Sequence, residues 1–242
     1  MKIIPLLFSL FLVVVSCSKN DEPSPGPGPT PPPNEKALAP EKTYIGVLLT
    51  ATDIGGFKSI TDNSGITTIT AILGEKTFTF RNDKPLRVGE SLNLTNENNS
   101  VEISVNNFGI EPKFTFTLTD YTDIELDFYE SNSVRAYSGT QTYKENEVLE
   151  ESFLGTILLD NQNKEWKGID RVTFVKDPLA GYEAGDYLDS NGTYTETETE
   201  IVLKAGTISF TLKKEEEGNK LILDQNTGSG VVTEGTYTKL NL

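Results

Sequence analysis

The feature that most restricts the fold of this chain is a strict alternation of apolar and polar residues in several short segments. In KFTFTLTD, Phe114, Phe116 and Leu118 alternate with threonines. The same period of two occurs in KTFTFR, SVEISVN, DIELDFYE and TISFTLKK. Alternation puts one face of a strand in the core and the other in water, which is typical of antiparallel sheets. The sequence therefore predicts an all-β protein of about a dozen strands, arranged as an antiparallel sandwich or barrel.

Clusters of Asn, Asp, Ser and Gly separate the alternating segments and predict tight turns. These clusters lie at residues 62–65, 96–99, 106–107, 190–192 and 218–219. The segment Lys144 to Leu154 fits a helix or a strand equally well, because Leu149 and Phe153 are four residues apart.

Two domain arrangements remain open from the sequence. One has a β-domain at 41–135 and a second at 136–242, and the other is a single β-structure over 41–242.

The first residues of the chain are typical of a bacterial lipoprotein signal. Lys2 is followed by an apolar segment from Ile3 to Val15, which is shorter than the ~20 residues that a membrane-spanning helix needs. Val14-Val15-Ser16-Cys17 then resembles a lipobox. The resemblance implies a signal peptide at 1–16, cleavage before Cys17, and lipid attached to the Cys17 thiol. Two or more acyl chains on one residue would give a stable membrane anchor.

The residues after Cys17 resemble those of outer-membrane and surface lipoproteins of the Bacteroidetes type. Ser18 stands where some inner-membrane lipoproteins carry Asp, and the acidic pair Asp21-Glu22 follows. The resemblance implies a lipid-anchored protein of the outer membrane that faces the cell exterior. Facing the periplasm is the alternative.

A proline-rich segment follows the cysteine. Eight of the twelve prolines lie between Pro23 and Pro40. Proline fixes φ and removes a hydrogen-bond donor, so we expect residues 17–40 to form an extended, semi-rigid tether. At ~3.1 Å per residue, such a tether could reach on the order of 70 Å.

Composition excludes several functions. The net charge of −15 would repel nucleic-acid phosphates, so no nucleic-acid partner is expected. The chain has no histidine, which excludes Ser-His-Asp and Cys-His catalysis and the usual imidazole zinc site. Cys17 is the one cysteine, so no disulfide can form within the chain. We therefore expect no enzyme. Two enzyme classes survive as alternatives, a glycosidase with paired carboxylates and an enzyme with a Ser/Lys nucleophile, and no motif marks the second.

Aromatic and acidic residues between 177 and 194 are the candidates for a ligand-binding surface. Tyr182 and Tyr187 are bracketed by glycines, and Asp186 lies between them. Aromatic faces beside carboxylates suit a glycan, through stacking and hydrogen bonds. Trp166, the single tryptophan, is a further candidate, although its surroundings also fit a buried core position.

Calcium is the one metal that the sequence suggests, because it takes carboxylate and amide oxygens. Asp186, Asp189 and Asn191 lie in a glycine-bounded segment, Gly185 to Gly192, but without the spacing of an EF-hand loop. A plain turn is the alternative there. No other cofactor is expected.

Two charged runs are expected to be solvated. In TETETEIVLK, Glu196, Glu198 and Glu200 are predicted to share the solvent-exposed face of a strand. KKEEEGNK, at 213–220, is predicted to form the tip of a hairpin.

The last fifty residues, Asn191 to Leu240, resemble the closing strands of small bacterial lipocalin-like lipoprotein domains. The matching features are Gly192-Thr-Tyr, the alternating strand after it, Gly218-Asn-Lys-Leu-Ile-Leu, and Tyr237-Thr-Lys-Leu. The resemblance implies a meander or barrel that begins near residue 136. The family's G-x-W pattern near the first barrel strand is missing around Trp166, which argues against an internal ligand cavity.

Together these features predict a lipid-anchored protein of the cell envelope that binds a glycan or another small ligand without turnover. The membrane is its partner through Cys17. The first alternative is a structural or adhesive surface protein that binds another envelope protein, and the second is the carboxylate-dependent glycosidase.

Overall fold

The computed structural model describes residues 36–106, 112–130, 132–177, 181–226 and 230–242. Residues 36–242 form one compact unit. The described strands pair antiparallel throughout, which confirms the predicted all-β class. The one helical element among them is a short 3-10 turn, Glu216–Gly218, and no helix in the described ranges is long and apolar enough to cross a membrane.

The first eight strands form two sheets. They are β1 (Lys42–Leu49), β2 (Ile54–Thr61), β3 (Thr67–Leu73), β4 (Lys76–Arg81), β5 (Ser91–Asn96), β6 (Asn99–Val105), β7 (Pro112–Thr117) and β8 (Glu125–Glu130). One sheet has the order β4-β3-β2-β1-β8, and the other has the order β5-β6-β7. The apolar sides of both sheets enclose one core, in which the rings of Phe57 and Phe114 lie 5.1 Å apart. We call this half the sandwich.

The last eight strands form a closed barrel. They are β9 (Val134–Glu145), β10 (Val148–Asp160), β11 (Glu165–Val175), β12 (Tyr187–Glu196), β13 (Glu200–Ala205), β14 (Ile208–Glu215), β15 (Lys220–Asn226) and β16 (Val231–Lys239). Each strand pairs with the next, and β16 returns to pair with β9, so the barrel is an up-and-down meander. The segment Lys144 to Leu154, which fitted a helix or a strand, forms the hairpin between β9 and β10.

The meander places the strand connections at two ends of the barrel. The connections after β9, β11, β13 and β15 share one end, which we call the upper end, and those after β10, β12 and β14 share the lower end. Four exposed apolar side chains lie on strand ends at the upper end. They are Val148, Leu149, Phe174 and Ile208.

Two local predictions from the sequence are wrong. Residues 190–192 do not form a turn but lie inside β12, where Gly192 passes so close to β13 that an added Cβ would be 1.8 Å from the Lys204 carbonyl oxygen. Glycine at this position lets the two strands approach closely, and the turn propensity of the local sequence cannot reveal such a contact. The glutamates of TETETE do not share a strand face, because β12 ends at Glu196 and β13 begins at Glu200.

The sandwich and the barrel share an apolar contact. Ile45 and Val47 on β1 pack with Val134, Ala136 and Leu158 on the outer wall of the barrel. Leu158 and Val47 are fully buried there.

The last residues assigned to the tether also pack on the sandwich. The amide of Ala39 donates to the Leu86 carbonyl oxygen at 2.9 Å, and Ala39 itself is buried. Cys17 and residues 1–35 lie outside the described residues.

Candidate functional site

The lower part of the barrel interior is filled with apolar side chains. They come from alternate positions on several strands, as a barrel of eight strands requires. The members are Tyr137, Leu159, Ile201, Leu212 and Leu221, and all are buried.

Higher in the interior there is a cavity of about 110 Å³. It is lined by aliphatic residues, three aromatic residues and four polar residues. The aromatic residues are Trp166, Phe210 and Tyr237, and the polar residues are Gln141, Thr156, Asp170 and Ser190. An apolar hollow with a few convergent polar groups is the usual form of a small-molecule site.

Two features of β10 open the space for this cavity. Gly155 has no side chain, and a Cβ there would lie 2.3 Å from Oδ1 of Asp170 on the facing β11. The next residue, Thr156, joins the two strands through its hydroxyl. That hydroxyl accepts from the Ile169 amide and donates to the Ile169 carbonyl oxygen, both at 3.0 Å.

The Asp170 carboxyl is the most unusual group in the cavity. Within the part of the chain that the structure describes, no side chain or backbone group donates a hydrogen bond to it, and no cation pairs with it. Burial alone raises the pKa of Asp170 from 3.8 to about 7. At neutral pH this carboxyl therefore exists in both its charged and its neutral form.

Tyr237 and Gln141 form the opposite wall of the cavity. The Tyr237 hydroxyl on β16 donates to Oε1 of Gln141 on β9 at 2.8 Å. Burial, and then the charge of Asp170, raise the pKa of Tyr237 well above its usual value. Tyr237 therefore stays a neutral hydroxyl across the physiological range of pH.

Trp166 contributes its ring to the cavity wall from β11. It is only 4% exposed, and its indole Nε1 donates to the Lys204 carbonyl oxygen at 3.2 Å. The approach of Gly192 makes room for the ring, because a Cβ on that residue would lie 3.0 Å from Nε1. The single tryptophan thus lies in the barrel interior, beside the cavity.

Tyr182 lies at the upper end of the barrel, away from the other predicted tyrosine. Its ring centroid is 6.4 Å from that of Phe153 on β10. Burial, and then the neighbouring Glu151, raise the pKa of Tyr182 to about 12. Tyr187 packs elsewhere, since its hydroxyl donates to the Asp123 carbonyl oxygen at 2.8 Å and Arg171 lies over its ring. The structure does not bring the two rings into one surface.

The predicted calcium residues do not converge. Oδ2 of Asp186 accepts a hydrogen bond from the Glu183 amide at 2.8 Å, while Asp189 and Asn191 are exposed positions within β12. Across the described ranges, no group of three or more Asp, Glu, Cys or His residues is placed to hold a metal ion.

Asp170, Gln141 and Tyr237 are not among the site residues predicted from the sequence. One signal was available for Asp170, because the positions that alternate with it along EWKGIDRVTF are Trp166, Gly168 and Val172. A lone carboxylate on an otherwise apolar strand face indicates a buried polar site. No local pattern marks Gln141 or Tyr237 in this way.

Larger depressions exist on the outer wall of the barrel. One of about 400 Å³ lies over β9, β15 and β16, and one of about 550 Å³ lies beside Asn146 and Gly230. Both are open to solvent and are lined mainly by polar side chains such as Thr140 and Glu234. Asp170, a partly buried carboxyl without a partner among the described residues, sets the interior cavity apart from them.

Comparison with known proteins gives no relative for this chain: no family model, no curated protein and no solved structure matches it.

Proposed function

We propose that this protein is a lipid-anchored, non-catalytic binding module of the cell envelope, and that its ligand enters the interior cavity of the barrel. The observation that carries the proposal is the Asp170 carboxyl, which is partly buried, lines this cavity, and has no hydrogen-bond or ion-pair partner among the described residues. A buried charge without a partner lowers stability, because it loses its hydration and gains nothing in return. Groups of this kind occur preferentially at functional sites.

The cavity volume limits what can bind inside. Sites for drug-sized ligands measure roughly 300–1,000 Å³, whereas this cavity has about 110 Å³. It therefore accepts a ligand of a few non-hydrogen atoms, or one end of a larger molecule. A glycan would enter only in part, with its remainder near Tyr182 at the upper end.

The exposed apolar side chains at the upper end support entry from that side. Ile208 is 58% exposed and Val148 is 48% exposed, both at hairpins of this end. Apolar surface around an entrance lowers the free energy of a ligand that carries an apolar part. A contact with another envelope protein would use the same surface, and it is the alternative outcome of the experiments below.

Binding is a better fit to the cavity than glycoside hydrolysis. Such hydrolysis generally needs two carboxyl groups roughly 5–9.5 Å apart. Among the described residues that line the cavity, Asp170 is the one carboxyl. The neighbouring polar groups, Gln141, Thr156 and Ser190, are suited to hydrogen bonding rather than to attack on a sugar.

Trp166 provides the test of ligand binding, because it is the single tryptophan and lies beside the cavity. A fragment library would be screened by Trp166 fluorescence on the full chain, with hits checked on Asp170→Asn. The exposed Asp189 on the outer face of β12 provides the matched control, Asp189→Asn. We expect hits that weaken on Asp170→Asn and are unchanged on Asp189→Asn. A complete screen without any hit on the native chain would contradict the proposal.

The anchor and the location are proposed from the sequence alone. Val14-Val15-Ser16-Cys17 supports lipidation of Cys17, and Ser18 with the acidic pair after it supports the outer membrane. Replacement of Cys17 by serine should move the protein from the membrane to the soluble fraction. Protease treatment of intact cells should digest a protein that faces the exterior and should spare one that faces the periplasm.

A further inference from the structure

We infer that the interior cavity recognises a compact organic cation, an ammonium group with small alkyl substituents, with its charge beside the Asp170 carboxylate. This inference rests on the proposed function, because it names the class of ligand for the same cavity. The steps that support it are the charge of the lining, its aromatic content and the hydrogen bonds that its polar groups already make.

The charge of the lining favours a cation over an anion. Asp170 carries the one carboxyl group among the described lining residues, and none of those residues is a lysine or an arginine. The chain as a whole has a net charge of −15. Because a carboxylate in a site of low polarity interacts strongly with an opposite charge, a cation gains most from this position. An anion would be repelled by the Asp170 carboxylate and would find no cationic side chain among the described lining residues.

The aromatic side chains favour an ammonium group with alkyl substituents over a bare metal ion. Trp166, Phe210 and Tyr237 line the cavity together with Asp170. Aromatic rings attract cationic nitrogen through the negative charge of their faces, and they also pack against its alkyl groups. Metal ions need several oxygen ligands. The lining has one carboxylate, and the Thr156 hydroxyl and the Gln141 amide oxygen already hydrogen-bond to protein groups.

The polar edges of two of these rings are already occupied. Trp166 donates its indole N–H to Lys204, and Tyr237 donates its hydroxyl proton to Gln141. Neither ring can therefore donate to a ligand without breaking an existing hydrogen bond. Apart from the Gln141 amide N–H groups, the lining thus offers the Asp170 carboxylate and aromatic surface, which is what an ammonium group with alkyl substituents requires.

The volume sets the size of the cation. A cavity of about 110 Å³ holds roughly three or four water molecules, since each occupies about 30 Å³ in the liquid. Tetramethylammonium and propylammonium are within this range, and both keep a permanent or nearly permanent charge at neutral pH. A longer alkyl chain would extend from the cavity toward the upper end of the barrel.

The cavity also predicts how affinity varies with pH. The pKa of Asp170 is raised to about 7, so its ionised fraction increases between pH 6 and pH 8. The groups facing it are Gly155 and Thr156 on β10, Ser190 on β12, Gln141 on β9 and Tyr237 on β16. Of these only Tyr237 titrates, and burial keeps it neutral in this range. Affinity for tetramethylammonium, which has no proton to lose, should therefore rise by roughly tenfold from pH 6 to pH 8.

The experiment is a titration of the full chain with four probes, followed by Trp166 fluorescence and by the single indole N–H signal in NMR spectra. The probes are tetramethylammonium, propylammonium, the neutral tert-butanol and the anionic trimethylacetate. We expect both cations to bind, and at least a tenfold loss of their affinity on Asp170→Asn. Asp189→Asn should bind as the native chain does.

The outcomes separate this inference from the proposed function. If tert-butanol or trimethylacetate binds as tightly as the cations, or if Asp170→Asn leaves cation affinity unchanged, the inference is overturned and the binding function stands. If no probe binds but the fragment library gives hits of another chemical class, the inference of a cationic ligand is overturned and the binding function stands. If neither the probes nor the library perturbs Trp166, both fail.

Discussion

Arg135 and Glu196 form a two-point ion pair at the lower end of the barrel. Nη1 of Arg135 donates to Oε1 of Glu196 at 2.8 Å, and Nη2 donates to Oε2 at 2.7 Å. Lys214 on β14 adds a contact of 2.7 Å to the same carboxylate. Each of the three side chains is less than one-fifth exposed. The pair links β9 to the end of β12 across the barrel interior, so it stabilises contacts between strands that are not neighbours.

Replacement of Glu196 by glutamine should lower the free energy of unfolding by roughly 1–3 kcal/mol, because Arg135 and Lys214 would lose their partner in a half-buried site. The exposed Glu198, in the turn after β12, provides the control. Glu198→Gln should change stability by less than about 0.5 kcal/mol. Urea unfolding at pH 7 measures the free energy of unfolding of both variants. Equal effects of the two substitutions would contradict a stabilising role of the Arg135–Glu196 ion pair.

The same ion pair predicts that the folded chain loses stability at acidic pH. Burial alone would raise the pKa of Glu196, but the hydrogen bonds and charges of Arg135 and Lys214 outweigh burial and lower the pKa from 4.5 to about 2. A depressed pKa contributes stability above the unfolded-state value and loses it as the pH falls. Stability should therefore drop between about pH 5 and pH 2, and Glu196→Gln should remove part of that drop. Unfolding followed across this range tests it.

Asp170 should behave in the opposite way, because its folded-state pKa is raised. The unfolded chain ionises at its ordinary pKa of 3.8, and the folded chain ionises only near 7. Stability is therefore lost as the pH rises from about 4 to 7, and it stays low above that value. At pH 8, Asp170→Asn should be more stable than the native chain by about 1–4 kcal/mol. The advantage should vanish near pH 4.

Thermal melts of Asp170→Asn and Asp189→Asn at pH 4, 6 and 8 measure this effect. The exposed Asp189 should give no gain at any of these values. If Asp170→Asn proves less stable than the native chain at pH 8, the carboxylate has a stabilising partner and the binding site proposed here loses its basis. A gain would be typical of a group that is retained for function at the expense of stability.

The sequence predicted the class of fold well because alternation is a local signal with a single physical cause. Phe114, Phe116 and Leu118 lie on one face of their segment, and all three are buried in the sandwich core. Closure of the barrel could not be predicted in the same way. It depends on the pairing of β16 with β9, whose residues are about ninety positions apart in the chain.

The site was harder to predict because its members come from separate strands. Asp170, Gln141 and Tyr237 converge only after the register of β9, β11 and β16 is set. The predicted residues were chosen because glycines bracket them, and that criterion favours loops. Six of the eight residues from Gly185 to Gly192 lie in β12, where Gly192 allows close packing of two strands and does not form a turn.

The contact between the two halves predicts that they unfold together. Leu158 on the outer barrel wall packs with Ile45 and Val47 of β1, and its side chain is fully buried. Leu158→Ala should lower the free energy of unfolding by about 2–5 kcal/mol. Trp166 fluorescence follows the barrel alone, whereas circular dichroism follows all strands. For the native chain the two should give one midpoint, and separate midpoints would show independent domains.

A barrel-core substitution provides the comparison. Leu203 is buried inside the barrel, so Leu203→Ala should give a loss of similar size while leaving the contact with the sandwich intact. If Leu158→Ala separates the two midpoints and Leu203→Ala does not, the contact at Leu158 is what joins the halves. Full coincidence of the midpoints in both variants would show that further contacts keep them together.

The relation between Gly155 and Asp170 gives a test that isolates the geometry of the cavity. An added methyl group at residue 155 would lie 2.3 Å from Oδ1 of Asp170 and 3.3 Å from the Tyr237 ring. Gly155→Ala should therefore lower the free energy of unfolding by about 1–3 kcal/mol, because the carboxyl must move in a packed interior. In an Asp170→Ala background the same substitution should lower stability clearly less, since the oxygen at 2.3 Å is gone and only the 3.3 Å contacts with Tyr237 remain. Denaturant unfolding of the two single variants and the double variant measures the coupling, which should exceed about 1 kcal/mol. Additive effects would mean that Asp170 does not point toward Gly155, and the cavity described above would then lack its carboxylate.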